Sequence, residues 1–341
     1  MSQYLSSKIT ILNTILILMV VFIHSAYEEA DEYIIASWIQ RFIGQGVCRI
    51  ANCMFFLISG YLLVRSVTSI KSLFLKQHRR IRTLVIPYVL WNIIFILWYV
   101  ILNEIPIISS HINNSIIASF KDKNLIDTIS IIFFKPAAFQ LWFLRDLIFM
   151  TIISPIIYLL TKFNVYISIL LCLLCICIYS WITYFWIGMI IAVSNIDIEK
   201  RVKTVPYVIF SSILFLFSCI IIASFNIEYT HTAIRYMMFI CNLMGIYSIW
   251  RIYDAITNYN VYLDRGIWKY ICGFSFFIYC FHEPTFNILK KSTLIMFGVN
   301  EYSLIISYLV NPLIMFFISI ILAKLIQNLI PRFYMVLTGG R

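Results

Sequence analysis

The sequence predicts an all-α, polytopic membrane protein with about ten transmembrane helices. Of its 341 residues, 62% are hydrophobic and only 12% are charged, which is roughly half the charged fraction of an ordinary soluble domain. One soluble core of this length does not bury so much apolar surface. The apolar residues also occur in repeated runs of about 20, the length that a helix needs to cross the hydrocarbon of a bilayer.

Separating the apolar runs at their charged breaks gives the individual spans. They cover residues 9–26, 46–65, 83–103, 139–160, 164–180, 181–195, 205–224, 233–250, 270–289 and 303–326. The fifth and sixth spans are the least separated, because the run 164–195 is nearly continuous and also fits one long span with a re-entrant piece. We see no internal repeat, so we expect one integral-membrane domain over residues 1–341.

The distribution of charge predicts that the N- and C-termini are both cytoplasmic. With an even number of spans and the N-terminus inside, most of the 26 basic residues fall in cytoplasmic segments, and most of the 15 acidic residues fall outside. Membrane proteins retain lysine and arginine on the cytoplasmic side, which accounts for the net charge of +11 without a nucleic-acid partner. We therefore expect a multi-pass protein of the cell (inner) membrane, surrounded by the lipid bilayer.

The nine cysteines indicate neither a disulfide framework nor a metal site. Cys172, Cys175 and Cys177 lie within one apolar run, where free cysteine behaves as a small hydrophobic residue. Their spacing is compatible with metal binding, but no histidine or carboxylate stands near them in the sequence. We therefore expect no metal.

Ionisable side chains within apolar spans are costly, so each one marks a candidate functional site. In the predicted topology, four different spans bring such groups to one level in the outer half of the membrane: His24, Arg49, Arg145, Asp146, His282 and Glu283. This convergence is stronger evidence for a site than any single residue.

Each of these groups also has a purely structural interpretation. His24 fits an interfacial histidine at a helix end, and Arg49 fits a side chain that reaches the outer headgroups. Arg145 and Asp146 can neutralise each other, and the charged pair on the ninth span can form a polar helix end. The residues alone leave these alternatives open.

Two charged segments lie close to these spans. The acidic segment 28–32 is typical of a solvated loop, although Glu28 follows His24 by four residues and would orient its imidazole on a continued helix. The basic segment 65–82 reflects topology alone or forms an anion site on the inner face. In the second interpretation, the guanidinium groups just before the third span bind the phosphates of a donor: Arg79, Arg80 and Arg82.

Five stretches of the sequence form an ordered set. They are the first span from Asn13 to His24, the run Arg49–Tyr61 with its Phe-Phe-Leu-Ile-Ser-Gly-Tyr segment, the stretch Arg79–Trp91, the stretch Leu141–Leu147, and Phe274–Tyr279 followed by His282. In this order they resemble the acyltransferase-3 family of integral-membrane acyltransferases. The resemblance spans nearly the whole chain, and the ordered set is more specific than any one stretch.

The resemblance implies a ten-helix enzyme that transfers an acyl group, usually acetyl from acetyl-CoA, to a hydroxyl of a surface polysaccharide or of a lipid-linked sugar acceptor. One position departs from the family pattern, because Asn13 stands where the family usually has arginine, eleven residues before its histidine. Eleven residues turn a helix by about 1,100°, some 20° beyond three full turns, so Asn13 and His24 share a face. Asn13 keeps the hydrogen bonding of that position but not its charge.

For acyl transfer, His24 is the candidate general base, because imidazole titrates near neutral pH. We expect Arg49, with Arg145, to stabilise the oxyanion and Glu28 to orient His24. A nucleophilic role, in which His24 carries the acyl group transiently, remains open. The expected substrate-binding residues are Trp142, Arg145, Asp146, Tyr279, His282, Glu283 and Asn13, of which Trp142 and Tyr279 are expected to contact the sugar.

Two other functions are compatible with the same sequence. A transporter of glycan or lipid also carries charges within the membrane. Transporters, however, commonly show repeated halves and a path of polar groups across the membrane, whereas the charges here gather at one level. A non-catalytic partner of a polysaccharide-assembly machine is the second alternative, and acetyl-CoA turnover by the purified protein would exclude it.

Overall fold

The computed structural model describes residues 2–103, 133–136, 138–199, 205–225, 231–257 and 266–340. Within these ranges the protein consists of α-helices with short 3₁₀ and π segments and contains no β-strand, which confirms the all-α prediction. Eight helices in the described part of the chain are long and apolar enough to cross a membrane. The protein is therefore an integral membrane protein.

The described part of the chain contains twelve α-helices. They are α1 (Gln3–His24), α2 (Ile34–Gln40), α3 (Ile50–Val64), α4 (Ile70–Asn103), α5 (Trp142–Phe163), α6 (Val165–Val193), α7 (Val205–Phe225), α8 (Thr232–Ile256), α9 (Ile267–Cys272), α10 (Ser275–Phe297), α11 (Glu301–Leu329) and α12 (Pro331–Leu337). A 3₁₀ helix at Glu28–Glu32 follows α1, a π-helix at Arg41–Val47 joins α2 to α3, and a 3₁₀ helix at Phe139–Leu141 leads into α5.

Helix α6 folds back on itself at Tyr179, whose backbone is extended (φ −154°, ψ 92°). The Trp186 indole donates to the Ser168 hydroxyl at 2.8 Å across 18 residues, which in a straight helix would separate these residues by about 27 Å. The contact requires two antiparallel arms that meet at Tyr179. These arms correspond to the fifth and sixth predicted spans, so the alternative of one long span does not describe this segment.

The predicted ninth span is also interrupted. It corresponds to α9 and the first part of α10, and α10 leaves the helical conformation at Glu283 (φ −107°, ψ 143°). The next residue is proline, and the residue before a proline is disfavoured in the helical conformation. Of the ten predicted spans, the described part of the chain shows eight candidates with α6 counted once; the interrupted α9–α10 pair is not among them.

Both ends of the chain lie at the end of the bundle that carries the basic segment 65–82. Ser2 is hydrogen-bonded to Glu199, which also accepts from the Arg65 guanidinium at 3.1 Å. Burial raises the pKa of Glu199, but the hydrogen bonds from Ser2 and Arg65 hold this pKa below its ordinary value. Near the C-terminus, Gly339 packs directly against the Thr83 carbonyl. This arrangement agrees with the prediction that both termini are on one side.

Helix α3 crosses the second arm of α6 at close range, and a glycine lies on each side of the crossing. A Cβ atom at Gly60 would overlap the carbonyl oxygen of Phe185, and one at Gly188 would overlap the carbonyl oxygen of Leu57. Small residues allow helix backbones to approach closely in membranes, where helix association depends on van der Waals packing. These two glycines therefore set the distance between α3 and α6.

Replacing either glycine by alanine is expected to destabilise the protein, because the helices must move apart to admit a methyl group. We expect Gly60→Ala and Gly188→Ala each to lower the free energy of unfolding by about 1–3 kcal/mol, the usual cost of overpacking a core. The measurement is the melting temperature of the purified protein in detergent micelles. Ala255→Leu, at an exposed position of α8, adds more volume and serves as the control. Glycine variants as stable as the control would contradict this packing.

Candidate functional site

A cavity of about 620 Å³ lies among α1, α3, α4, α5 and α10, and it is termed the inner cavity. One face of α1 lines it with residues three or four positions apart: Thr10, Asn13, Ile17 and Val20. Ten residues of helix correspond to about 15 Å, so the inner cavity follows α1 for that distance. His24 lies one helical turn beyond its far end.

The basic segment contributes three cations to the inner cavity, namely Lys76, Arg79 and Arg80. The structure thus brings together two of the three arginines predicted to bind phosphates. The third, Arg82, is exposed and does not line the cavity. Positions 76, 79 and 80 share one face of α4, and position 82 lies off that face, which explains the difference.

The inner cavity is otherwise lined by uncharged polar groups. The Oδ1 atom of Asn13 is buried and has no hydrogen-bond partner in the described part of the chain. Asn52, Ser59 and Ser275 also line the cavity. Amide and hydroxyl groups therefore surround the position where the family usually places an arginine.

Tyr279 lies at the inner cavity, not on the side of Trp142 where contact with the sugar was expected. Its hydroxyl donates to the carbonyl of Gln140. The Gln140 side chain in turn donates to the carbonyls of Cys280, at 2.8 Å, and Glu283. Sequence reasoning missed Gln140, whose role depends on a helix break that only the structure locates.

A second cavity of about 610 Å³, termed the outer cavity, contains His24. Charged residues line it as well: Glu28, Asp31, Arg41, Glu283 and Lys290. The His24 ring lies 5.2 Å from the His282 ring and 5.9 Å from the Phe139 ring, measured between centroids. His24 and His282, which come from the first and ninth predicted spans, therefore meet as the convergence of ionisable residues predicted.

The hydrogen bonds of His282 define its tautomer. Its Nδ1 atom lies 3.1 Å from the Ile278 carbonyl oxygen and 2.8 Å from the Tyr279 carbonyl oxygen. Because a carbonyl oxygen only accepts, Nδ1 carries the hydrogen and Nε2 carries a lone pair. Nε2 is buried and has no hydrogen-bond partner among the residues that the structure describes. His282 thus presents a hydrogen-bond acceptor beside His24.

Lys290 fixes the end of α1. Its ammonium group donates to the carbonyls of His24, at 3.4 Å, and Ala26, where a positive charge also complements the dipole of the helix C-terminus. Glu283 accepts from the Asn287 amide at 3.0 Å and lines the same cavity. Sequence analysis missed Lys290, which lies one residue beyond the end of the predicted ninth span.

The structure does not provide the continued helix on which Glu28 was expected to orient His24. Helix α1 ends at His24, and Glu28 begins an exposed 3₁₀ helix after a break of three residues. Glu28 lines the outer cavity, but within the described ranges its carboxylate makes no hydrogen bond to the His24 imidazole. The acidic segment is exposed at its four carboxylates, as a solvated loop would be.

Arg145 and Asp146 form an ion pair at 2.8 Å, which is the mutual neutralisation that the sequence left open. The Tyr179 hydroxyl also donates to the Asp146 carboxylate, so this carboxylate connects α5 to the fold-back of α6. Arg145 and Trp142 line a cavity of about 440 Å³. This cavity is termed the aromatic cavity, and its other residues are Lys135, Pro136, Phe139 and Trp181.

Arg49 lies in a further cavity, of about 270 Å³, with Arg235. This arginine cavity also contains Tyr179, Trp181 and Asn242. Neither Arg49 nor Arg145, the two residues expected to stabilise an oxyanion, lines the cavity that holds His24. Sequence analysis predicted the depth of each side chain in the membrane but not the side of the helix on which it lies.

Shared residues connect these three cavities. Phe139 lines both the outer cavity and the aromatic cavity, and Trp181 lines both the aromatic cavity and the arginine cavity. The rings of Trp142 and Trp181 are 5.4 Å apart. An aromatic surface therefore extends from Arg49 towards His24. Sequence analysis missed Trp181 and Arg235, although Arg235 is an arginine near the start of a predicted span and satisfies the rule that selected Arg49.

Comparison with known proteins agrees with the resemblance seen in the sequence. The profile of the acyltransferase domain family (acyltransferase-3) matches residues 7–328. The succinoglycan biosynthesis protein ExoH of Rhizobium meliloti (strain 1021) is 24% identical over 369 aligned positions, which cover 100% of this chain and 94% of that protein. No solved structure matches the chain. Because the family profile covers nearly the whole sequence, the protein is a membrane-embedded acyltransferase that belongs to the acyltransferase-3 family.

Proposed function

We propose that this enzyme transfers an acetyl group from acetyl-CoA to a hydroxyl of a cell-surface polysaccharide, or of its lipid-linked precursor, at the inner membrane. The similarity to a succinoglycan biosynthesis protein supports a polysaccharide acceptor. One observation carries the proposal: the inner cavity has a basic rim and follows α1 to within one turn of His24, which lies in the outer cavity. Donor and acceptor therefore approach His24 from opposite sides.

The inner cavity fits the chemistry of coenzyme A. Lys76, Arg79 and Arg80 supply charge-assisted hydrogen bonds to phosphate groups. Further along α1, Asn13 and Asn52 offer amide donors and acceptors to the amide groups of the pantetheine arm. With Asn13 in place of arginine, the donor is held in this region by hydrogen bonds, and its charge recognition is concentrated at the rim.

The reaction requires proton transfer at His24. Its imidazole takes the proton of the acceptor hydroxyl as the hydroxyl oxygen attacks the thioester carbonyl. The new C–O bond forms, the C–S bond breaks, and the proton passes from His24 to the departing thiolate. Arg41 and Lys290 line the outer cavity and supply positive charge near the developing oxyanion.

His282 is a positioning residue in this scheme. Its Nδ1–H is held by two backbone carbonyls, so its Nε2 lone pair is fixed beside the His24 ring. Nε2 makes no hydrogen bond to His24 in the described structure; in the proposed scheme a His24 N–H turns to this acceptor when substrate binds, which keeps the opposite ring nitrogen free to act as a base. His282 thus takes the orienting role that sequence analysis assigned to Glu28.

Replacing His24 tests the proposed base. We expect His24→Ala to lower acetylation of the surface glycan by at least about 10²-fold, since general base catalysis contributes about 10²–10⁴-fold. Mass analysis of the glycan, together with the amount of protein in the membrane, measures the effect. His231→Ala, at an exposed histidine before α8, is the matched control and should acetylate normally. Wild-type acetylation by His24→Ala would refute the proposed role.

The donor site has its own test. The double variant Arg79→Gln, Arg80→Gln should raise the KM for acetyl-CoA by about 10–100-fold, because a hydrogen bond to a charged group contributes about 1.5–3 kcal/mol. The assay is acetyl-CoA turnover by purified protein in lipid nanodiscs. Arg82→Gln removes a neighbouring charge outside the inner cavity and should leave the KM unchanged. An equal effect of Arg82→Gln on the KM would contradict a specific donor site in the inner cavity and would indicate that the basic surface as a whole attracts the donor.

The positioning role of His282 predicts a difference between two amide variants. Glutamine places an acceptor near the position of Nε2, whereas asparagine reaches only the position of Nδ1. We expect His282→Asn to lower kcat by about 10²-fold with little change in either KM, and His282→Gln to retain kcat within about tenfold of the wild type. Steady-state kinetics in nanodiscs separate the two constants. Equal losses in both variants, or losses confined to KM, would contradict the role.

A further inference from the structure

We propose that the arginine cavity binds an anionic group of the acceptor, so that the enzyme selects an anionic acceptor. The anion is a carboxylate of an acidic sugar or a phosphate of a lipid-linked carrier, and both present the same chemistry to a guanidinium group. The assignment of this ligand as the acceptor rests on the proposed function; anion binding in the cavity does not.

Two guanidinium groups from different helices meet in this cavity. Arg49 immediately precedes α3, and Arg235 lies in the first turn of α8. Among the residues that line the cavity in the described structure there is no aspartate or glutamate. Guanidinium groups match carboxylate and phosphate geometry because their planar donors bind two oxygens at once.

The surroundings hold both arginines in place. The Arg235 guanidinium donates to the Cys177 carbonyl at 2.6 Å, and that of Arg49 lies 5.9 Å from the centre of the Trp181 ring. These two contacts orient the guanidinium groups. Less rotamer entropy is then lost when an anion binds.

The size and lining of the cavity fit one sugar residue or one phosphate group. Its volume of about 270 Å³ lies just below the usual range for small-molecule sites, about 300–1,000 Å³. Trp181 and Tyr184 offer flat aromatic surfaces, and the Asn242 amide donates to the Tyr184 hydroxyl at 3.1 Å, which fixes that ring. Aromatic rings of this kind bury apolar area while they keep a polar edge.

The location of the cavity matches an acceptor that also reaches His24. The cavity lies where α3 and α8 begin and where α6 folds back at Tyr179, at the end of the bundle opposite the basic segment. Trp181 and Phe139 join it, through the aromatic cavity, to the outer cavity. An acceptor anchored at Arg49 and Arg235 can therefore extend over Trp142 and place another ring near His24.

The test measures binding without the acyl donor, so that no transfer occurs. Two matched pairs of probes are titrated against purified wild-type protein in neutral-lipid nanodiscs: a tetrasaccharide with one glucuronate against its glucose counterpart, and undecaprenyl diphosphate against undecaprenol. We expect at least one anionic probe to bind about tenfold more tightly than its neutral counterpart, the effect of one charge-assisted hydrogen bond. This preference should weaken as salt is raised.

Variants assign the preference to the cavity. The preference should fall to less than about threefold in Arg49→Gln and in the double variant Arg49→Gln, Arg235→Gln. The single variant is included because Arg235 also holds the Cys177 carbonyl, so its replacement can loosen the fold. Arg332→Gln removes an exposed arginine from α12 and should keep the preference.

The outcomes separate the two anion sources and the two proposals. A preference for glucuronate alone assigns a sugar carboxylate, and a preference for the diphosphate alone assigns the lipid carrier. The absence of any preference, or a preference that survives in Arg49→Gln, overturns the anion site. Because binding is measured without donor, a failure of acetyl transfer would refute the proposed function and leave this result unchanged.

Discussion

Within hydrocarbon, a backbone N–H or C=O group without a hydrogen bond costs several kcal/mol, so a spanning chain leaves the helical conformation only where other groups replace the lost bonds. Two of the described helices break in this way, and each break has its replacement. At Glu283 the Gln140 amide donates to the carbonyls of Cys280 and Glu283, and at the fold-back of α6 the Arg235 guanidinium donates to the Cys177 carbonyl. Both breaks border a cavity, so the need to satisfy backbone groups determines where polar side chains gather.

The same constraint connects the fold to the chemistry. The break at Glu283 places His282 at the end of a short helical segment, where carbonyls of the preceding turn fix its ring. Beyond the break, the second part of α10 carries Lys290 back to the end of α1. The position of His24 is thus determined by two parts of one interrupted helix. A straight α10 would not hold His24 in this way.

Hydropathy was sufficient for the all-α membrane class and for the approximate centres of the spans, but not for their limits: α4, for example, begins at Ile70 and not at residue 83. The sequence also predicted that His24 meets His282 of the ninth span, because each of these two residues lies late in a helix that runs outward. The prediction failed where a contact depends on the side of the helix on which a residue lies. Arg49 was predicted to lie near His24 but lines the arginine cavity, whereas His24 lines the outer cavity. Arg82 lies off the face of α4 that carries Arg80. Long-range placement of helices decides such contacts, and one sequence does not report it.

The inner and outer cavities are separated by a thin wall. Tyr279 lines the inner cavity, its hydroxyl is bonded to the Gln140 carbonyl, and Phe139, next to Gln140 in the chain, lines the outer cavity. In the proposed reaction, only a small acyl group needs to pass this wall. The nucleotide of the proposed coenzyme A donor then stays in the inner cavity. Acyl transfer of this kind requires no continuous channel between the two cavities.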